Sequence, residues 1–154
     1  VVDPWAGIGS IGSAFAAAGF RVHTNDIDPS LSCDSHEDAL QPVFYKQLQR
    51  KGLCDAIIMS PLFSLLDIAL PLAVRYAHSV VCAHVPGHYV TDATEARSAW
   101  LAQLREERRL MLILGLPRGP MGRRCAWLVI FSDQATARRM TKQQYRSPHL
   151  SFEA

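Results

Sequence analysis

The chain has 154 residues, 49% of them apolar and 19% charged, which suits one domain with its own core and excludes a disordered charged tail. Its apolar runs, such as 14–18 and 57–59, fall far short of the ~20 residues that span a bilayer, so no membrane partner is expected. The net charge of +2 hides an asymmetry: six acids and two bases lie between Val1 and Leu48, but ten bases and three acids between Arg105 and Arg146. The basic half reads either as a solvated surface or as a face for a polyanion.

Cys33, Cys54, Cys82 and Cys125 form no CxxC pair and match no zinc spacing. They are expected to be reduced thiols of an intracellular protein, cytoplasmic or nuclear, and no metal site is expected. The first residues carry no signal-peptide pattern. They read as the end of a strand, which points to a domain cut from a longer polypeptide.

Taken in order, the elements alternate between short apolar runs and helical segments, the pattern of an α/β fold with a mostly parallel sheet. Val1-Val2 ends a first strand. Ser10–Ala18 is a helix stopped by Gly19, and Phe20–Thr24 is a second strand. Pro29 starts a short helix or turn, and Ala39-Leu40 is a short third strand. A helix from Pro42 to about Lys51 ends at Gly52. Cys54–Met59 is a buried strand, Pro71 opens a helix to Ala77, and Ser79–Val85 is the fifth strand. Asp92-Ala-Thr-Glu95 is a capping box for a helix reaching about Glu107. Arg109–Leu114 and Cys125–Phe131 form a closing antiparallel hairpin. Residues 1–133 make up the domain, and 134–154 form a basic tail with no assigned structure.

Gly7, Gly9 and Gly12 satisfy G-x-G-x-x-G between a strand and a helix, where a tight turn brings the backbone close to a ligand. A turn that merely packs tightly fits the same pattern. A dinucleotide would put its pyrophosphate at the helix N-terminus. Asp3, just before the glycines, would repel that group and attract the ammonium of S-adenosylmethionine. Asp26, closing the second strand, suits a ribose with either cofactor. Asp28 reads as the cap of the turn at Pro29.

Four segments together resemble the class I S-adenosylmethionine-dependent methyltransferases, in particular the amino-methyltransferases of adenine N6 and cytosine N4. Asp3-Pro4-Trp5-Ala6-Gly7-Ile8-Gly9 is similar to their D-P-F-A-G-x-G loop. Asn25-Asp26-Ile27-Asp28-Pro29 resembles their second-strand ending, Asp38-Ala39-Leu40-Gln41-Pro42 their D-A-L-x-P segment, and Asp55 to Phe63 their catalytic strand and loop. The resemblance implies a Rossmann-like, seven-stranded sheet with the last strand antiparallel and helices on both faces. It also implies S-adenosyl-L-methionine held by Asp3, Pro4, Trp5, Ala6, Gly7, Gly9, Asp26 and Asp38. In that family the loop accepts hydrogen bonds from an exocyclic amine through its first side chain and a carbonyl, and stacks an aromatic on the extruded base. Ser60, Pro61 and Phe63 would take those roles.

The implied reaction is methyl transfer to a nucleic-acid base, adenine N6 in DNA first, with DNA rather than RNA as partner. Leu62 departs from the pattern, which has a second proline there. The rival expectation is therefore a catalytically degenerate domain that binds nucleic acid or a partner. Arg118, Arg123 and Arg124 flank the final hairpin and would contact phosphates or simply be solvated. Target recognition would need a partner protein or a further domain.

Five residues have weaker readings. His84 and His88 are separated by Pro86-Gly87, which argues against a zinc pair. His23 and Trp100 read as structural, and Tyr89 as a possible substrate contact.

Overall fold

The computed structural model describes residues 1–115 and 124–144. Among these, six strands form one sheet in the order β2-β1-β3-β4-β6-β5. The strands are β1 (Val2–Asp3), β2 (His23–Thr24), β3 (Ala56–Met59), β4 (Val80–Pro86), β5 (Leu110–Gly115) and β6 (Cys125–Phe131). β1 pairs in parallel with β2 and β3, and β3 with β4. β6 lies antiparallel between β4 and β5. The fold is therefore α/β with a mostly parallel sheet.

β3 has the composition of a strand covered on both faces: Ile57, Ile58 and Met59 are all buried. Five helices complete the described fold: α1 (Ser10–Ala17), α2 (Pro42–Arg50), α3 (Leu66–Tyr76), α4 (Glu95–Glu106) and α5 (Gln134–Gln144). α1 packs on β1, α3 on β4, α4 on β5 and α5 on β6, while α2 packs on α3. In α2, Pro42 occupies the first turn and Phe44, Tyr45 and Leu48 face the core. Tyr45 stacks on Tyr76 of α3, with ring centroids 5.5 Å apart. None of the helices among the described residues is long and apolar enough to cross a membrane.

Several sequence expectations are corrected. The described sheet has six strands, not seven. Ala39-Leu40 is a turn, because the Asp38 carboxylate accepts the Leu40 N–H at 2.9 Å and satisfies the backbone locally. The edge position beside β2 holds only an isolated bridge between Asn25 and Ser35. Pro29 opens a turn, one of the two forms expected there.

Pro71 does not open α3 but lies inside it. Leu66, Ala69, Leu70, Ala73 and Val74 follow the helical repeat straight through the proline and are all buried. That burial outweighs the ~3 kcal/mol cost of an interior proline. The cap of α4 is Thr94 rather than Asp92, with its Oγ1 accepting the Arg97 N–H at 3.3 Å.

The basic tail, which the sequence left without an assigned structure, opens with α5 (Gln134–Gln144). Asp133 Oδ1 accepts the Thr136 N–H at 2.7 Å, and Ala137 is buried. α5 is polar almost throughout, so its sequence carries no apolar stripe to announce it.

Candidate functional site

Because β1 to β4 run parallel, their carboxyl ends share one edge of the sheet, where ligands bind in open α/β folds. β6 is antiparallel, so its first residues reach the same edge: the Gly87 N–H donates to the Arg124 carbonyl at 2.8 Å. The glycine loop, Asp26, Ser60–Phe63 and Arg124, four parts of the chain, thereby line one edge of the sheet. Arg118 and Arg123 lie outside the described residues.

The loop after β1 is tightly folded. The Ala6 N–H donates to the Asn25 carbonyl at 2.9 Å and the Gly9 N–H to the Ala6 carbonyl at 2.8 Å. Gly7 and Gly9 have φ of 53° and 83°, values glycine adopts without strain. Pro4 and Ala6 are buried, and Trp5 packs against the core at its margin. Gly12 lies close against β2, where a Cβ would come within 2.8 Å of Thr24 Cγ2.

Asp3 is fully buried, and neither carboxylate oxygen has a hydrogen-bond partner among the described residues. Burial pushes its pKa up to about 6, a shift opposed by the nearby Trp5 and Gly12 N–H groups. Asp26 is half-buried; its Oδ2 accepts the Gly7 N–H at 2.9 Å and its Oδ1 the Asp28 N–H at 3.1 Å. Each oxygen keeps acceptor capacity for a second donor. Asp38 bonds within its own turn, to the Leu40 N–H and to Gln41 Nε2 at 3.1 Å. Asp28 caps the Pro29 turn as expected, its Oδ1 accepting the Ser30 N–H at 2.9 Å.

Asn25 is the organising residue that sequence reading missed. Its Nδ2 donates to the carbonyls of Pro4 (3.1 Å) and Glu37 (2.9 Å). Its Oδ1 accepts from Ser35 Oγ (2.8 Å) and from the Glu37 N–H (2.9 Å). This one buried amide ties the glycine loop to the segment leading to Asp38. A buried asparagine at a strand end was the available signal.

The loop after β3 departs from the expected amine-binding arrangement. Ser60 Oγ lies 3.2 Å from His84 Nδ1 on the neighbouring strand. Pro61 is buried, Leu62 is 71% exposed, and Phe63 begins a short 3₁₀ turn, Phe63–Leu65. The Phe63 ring lies 5.7 Å from that of His84, which lies 5.5 Å from Trp127 of β6. Burial holds the His84 pKa below its ordinary value, so the imidazole is neutral near pH 7. Ser60 thus has the His84 imidazole as a hydrogen-bond partner and keeps lone pairs for a further donor.

Tyr89, read as a possible substrate contact, is buried and its hydroxyl donates to Asp67 Oδ1 at 3.1 Å. His23 is structural, bonded to Ser35 Oγ at 2.9 Å, and Trp100 packs against the core. Among the described residues no cluster of His, Cys, Asp or Glu could hold a metal ion, and all four cysteines are free thiols.

No family model and no curated protein matches the chain. Among solved structures, it is similar to precorrin 8w decarboxylase from Methanobacterium thermoautotrophicum, with 16% identity over 84% of this chain and 79% of that one. The TM-score is 0.37. A likeness of that size transfers no activity to this chain.

The expectations drawn from the amino-methyltransferases are corrected: no family model and no curated protein supports them, and the solved structure named above is a decarboxylase. The chain is not placed in the adenine-N6 or cytosine-N4 family. Methylation of adenine N6 in DNA is withdrawn as its reaction, and so is the degenerate relative of such an enzyme.

Proposed function

We propose that this chain is a Rossmann-like ligand-binding domain that holds S-adenosylmethionine at the carboxyl ends of β1 and β2. The observation that carries this reading is Asp3, a buried carboxylate with two unpartnered oxygens directly before a glycine turn. An acid in that state is costly unless a cation or a proton reaches it. The ammonium of the methionine moiety is such a cation, whereas a pyrophosphate would add repulsion. Since Asp3 is fully buried, the ligand reaches it only with movement of the following loop.

Asp26 would accept the ribose hydroxyls with its remaining lone pairs, and Asp38 the adenine amine. Pro4, Trp5, Ala6, Gly7 and Gly9 would shape the turn around the ligand. When bound, the cofactor supplies a sulfonium methyl group. The chain's own residues bind and orient it. The free cysteines support a reducing, intracellular setting.

Calorimetric titration of the full chain with S-adenosylmethionine, S-adenosylhomocysteine and NAD tests the reading. S-adenosylmethionine should bind and NAD should not. Asp26→Ala should weaken binding by about 1.5–3 kcal/mol through loss of charge-assisted hydrogen bonds. Tighter binding of NAD, or no effect of Asp26→Ala, would overturn it.

A further inference from the structure

On the other side of the same edge, a cleft of about 600 Å³ opens between the ends of β4 and β6 and the loop after β3. That volume falls in the range of small-molecule sites. Its described lining is Phe63, Pro86, Gly87, His88, Thr91 and Arg124. The site combines an apolar wall with one strong cation. Phe63 is 36% exposed, and its ring is backed by His84 and Trp127, so it presents a fixed aromatic face.

Arg124 is exposed, and none of the salt bridges among the described residues uses it. Its backbone is held in place through Gly87. A Cβ on Gly87 would lie 3.1 Å from the Arg124 Cβ and 3.2 Å from its carbonyl oxygen, so a side chain there would push the two strand ends apart by a few tenths of an ångström. The guanidinium at the mouth has a planar fork of donors that matches a carboxylate in two-pronged geometry.

We propose that this cleft binds a small aromatic carboxylate, with its ring against Phe63 and its carboxylate on Arg124. An exposed guanidinium beside an aromatic face in a half-open cleft suits a compact anion that carries a ring. The cleft lies apart from Asp3 and Asp26, so the proposal stands independently of the cofactor reading.

The test is a titration of the isotope-labelled full chain, without S-adenosylmethionine, followed by amide NMR shifts. The probes are 2-naphthoate, its uncharged amide 2-naphthamide, and a decathymidylate strand. Naphthoate should shift the Phe63, Gly87 and Thr91 amides and saturate, with naphthamide about tenfold weaker or worse. Arg124→Gln should weaken naphthoate by a similar factor while leaving the amide probe unchanged. Phe63→Ala should weaken both, and the undisturbed remainder of each spectrum reports that the variants fold. Equal binding of the two naphthalenes, shifts confined to other residues, or a decathymidylate that binds this cleft more tightly than naphthoate would each overturn the proposal.

Discussion

Arg97 of α4 grips Asp67 of α3 with both prongs of its guanidinium, Nε to Oδ1 and Nη2 to Oδ2, each at 2.7 Å. The same guanidinium lies 4.2 Å over the Tyr89 ring and donates to the Tyr89 carbonyl at 3.2 Å. Two helices and the loop after β4 are thus joined through one side chain. The 30 residues between Arg97 and Asp67 hide the pairing from any sequence window.

Asp67→Ala should destabilise the fold by about 1 kcal/mol, the upper end for a pair whose carboxylate is half exposed. Urea denaturation of the wild type, the two single variants and Asp67→Ala/Arg97→Ala would isolate the coupling. Hydrogen bonds from Arg97 hold the Asp67 pKa below its ordinary value. An acid with a depressed folded pKa stabilises above its unfolded value near 4 and loses that contribution as pH falls through the folded pKa. The Asp67-dependent part of stability should therefore be intact at pH 7 and fade only below about pH 4.

Asp3 has the opposite sign. Its folded pKa of about 6 exceeds the unfolded value of 3.8, so the folded state binds the extra proton between them. Stability from this group is fully present below the unfolded value and is lost as pH rises through about 6. Asp3→Asn should raise stability at pH 7 by roughly 1–2 kcal/mol and flatten the pH dependence between 4 and 7. Thermal melts across that range read the effect. A variant that is less stable than the parent at pH 7 would show that the carboxylate is better paired than its surroundings indicate.

Gly12 faces β2 at a separation that admits no side chain. Gly12→Ala would press a methyl group to within 2.8 Å of Thr24 Cγ2, and should cost about 1–3 kcal/mol as α1 is forced from the sheet. Thr24→Ser, which removes that methyl, should restore part of the loss in the double variant. Chemical denaturation of all four proteins measures it.

Leu62 has φ of −54° and ψ of 133°, values proline adopts freely. The Leu62 N–H donates to nothing among the described residues, while its carbonyl accepts the Leu65 N–H at 2.9 Å. Leu62→Pro should therefore stabilise the fold by about 0.4–1 kcal/mol by restricting the unfolded chain. A rise in the urea midpoint at constant slope is the expected outcome, and a fall would mean that the loop samples other conformations.

Local chemistry determined much of this protein. The apolar runs around Ile57 and Val81 had to become buried strands, Gly19 and Gly52 ended their helices with φ of 86° and 66°, and Asp28 capped its own turn. These features depend on neighbours a few residues away, so the sequence displays them directly. The glycine loop and Asp26 were legible for the same reason, and the 2.9 Å bond from the Gly7 N–H to Asp26 joins two segments already singled out. Tertiary structure decided the rest. Burial of the Leu66–Val74 stripe carried α3 through Pro71, and packing of Ala137 against the sheet gave α5 a place its polar sequence does not reveal. Ser60 met His84, and Gly87 met Arg124, only because β4 lies between β3 and an antiparallel β6. Such pairings are set by which strands lie side by side, and strand order is a property of the whole packed sheet that no local pattern encodes.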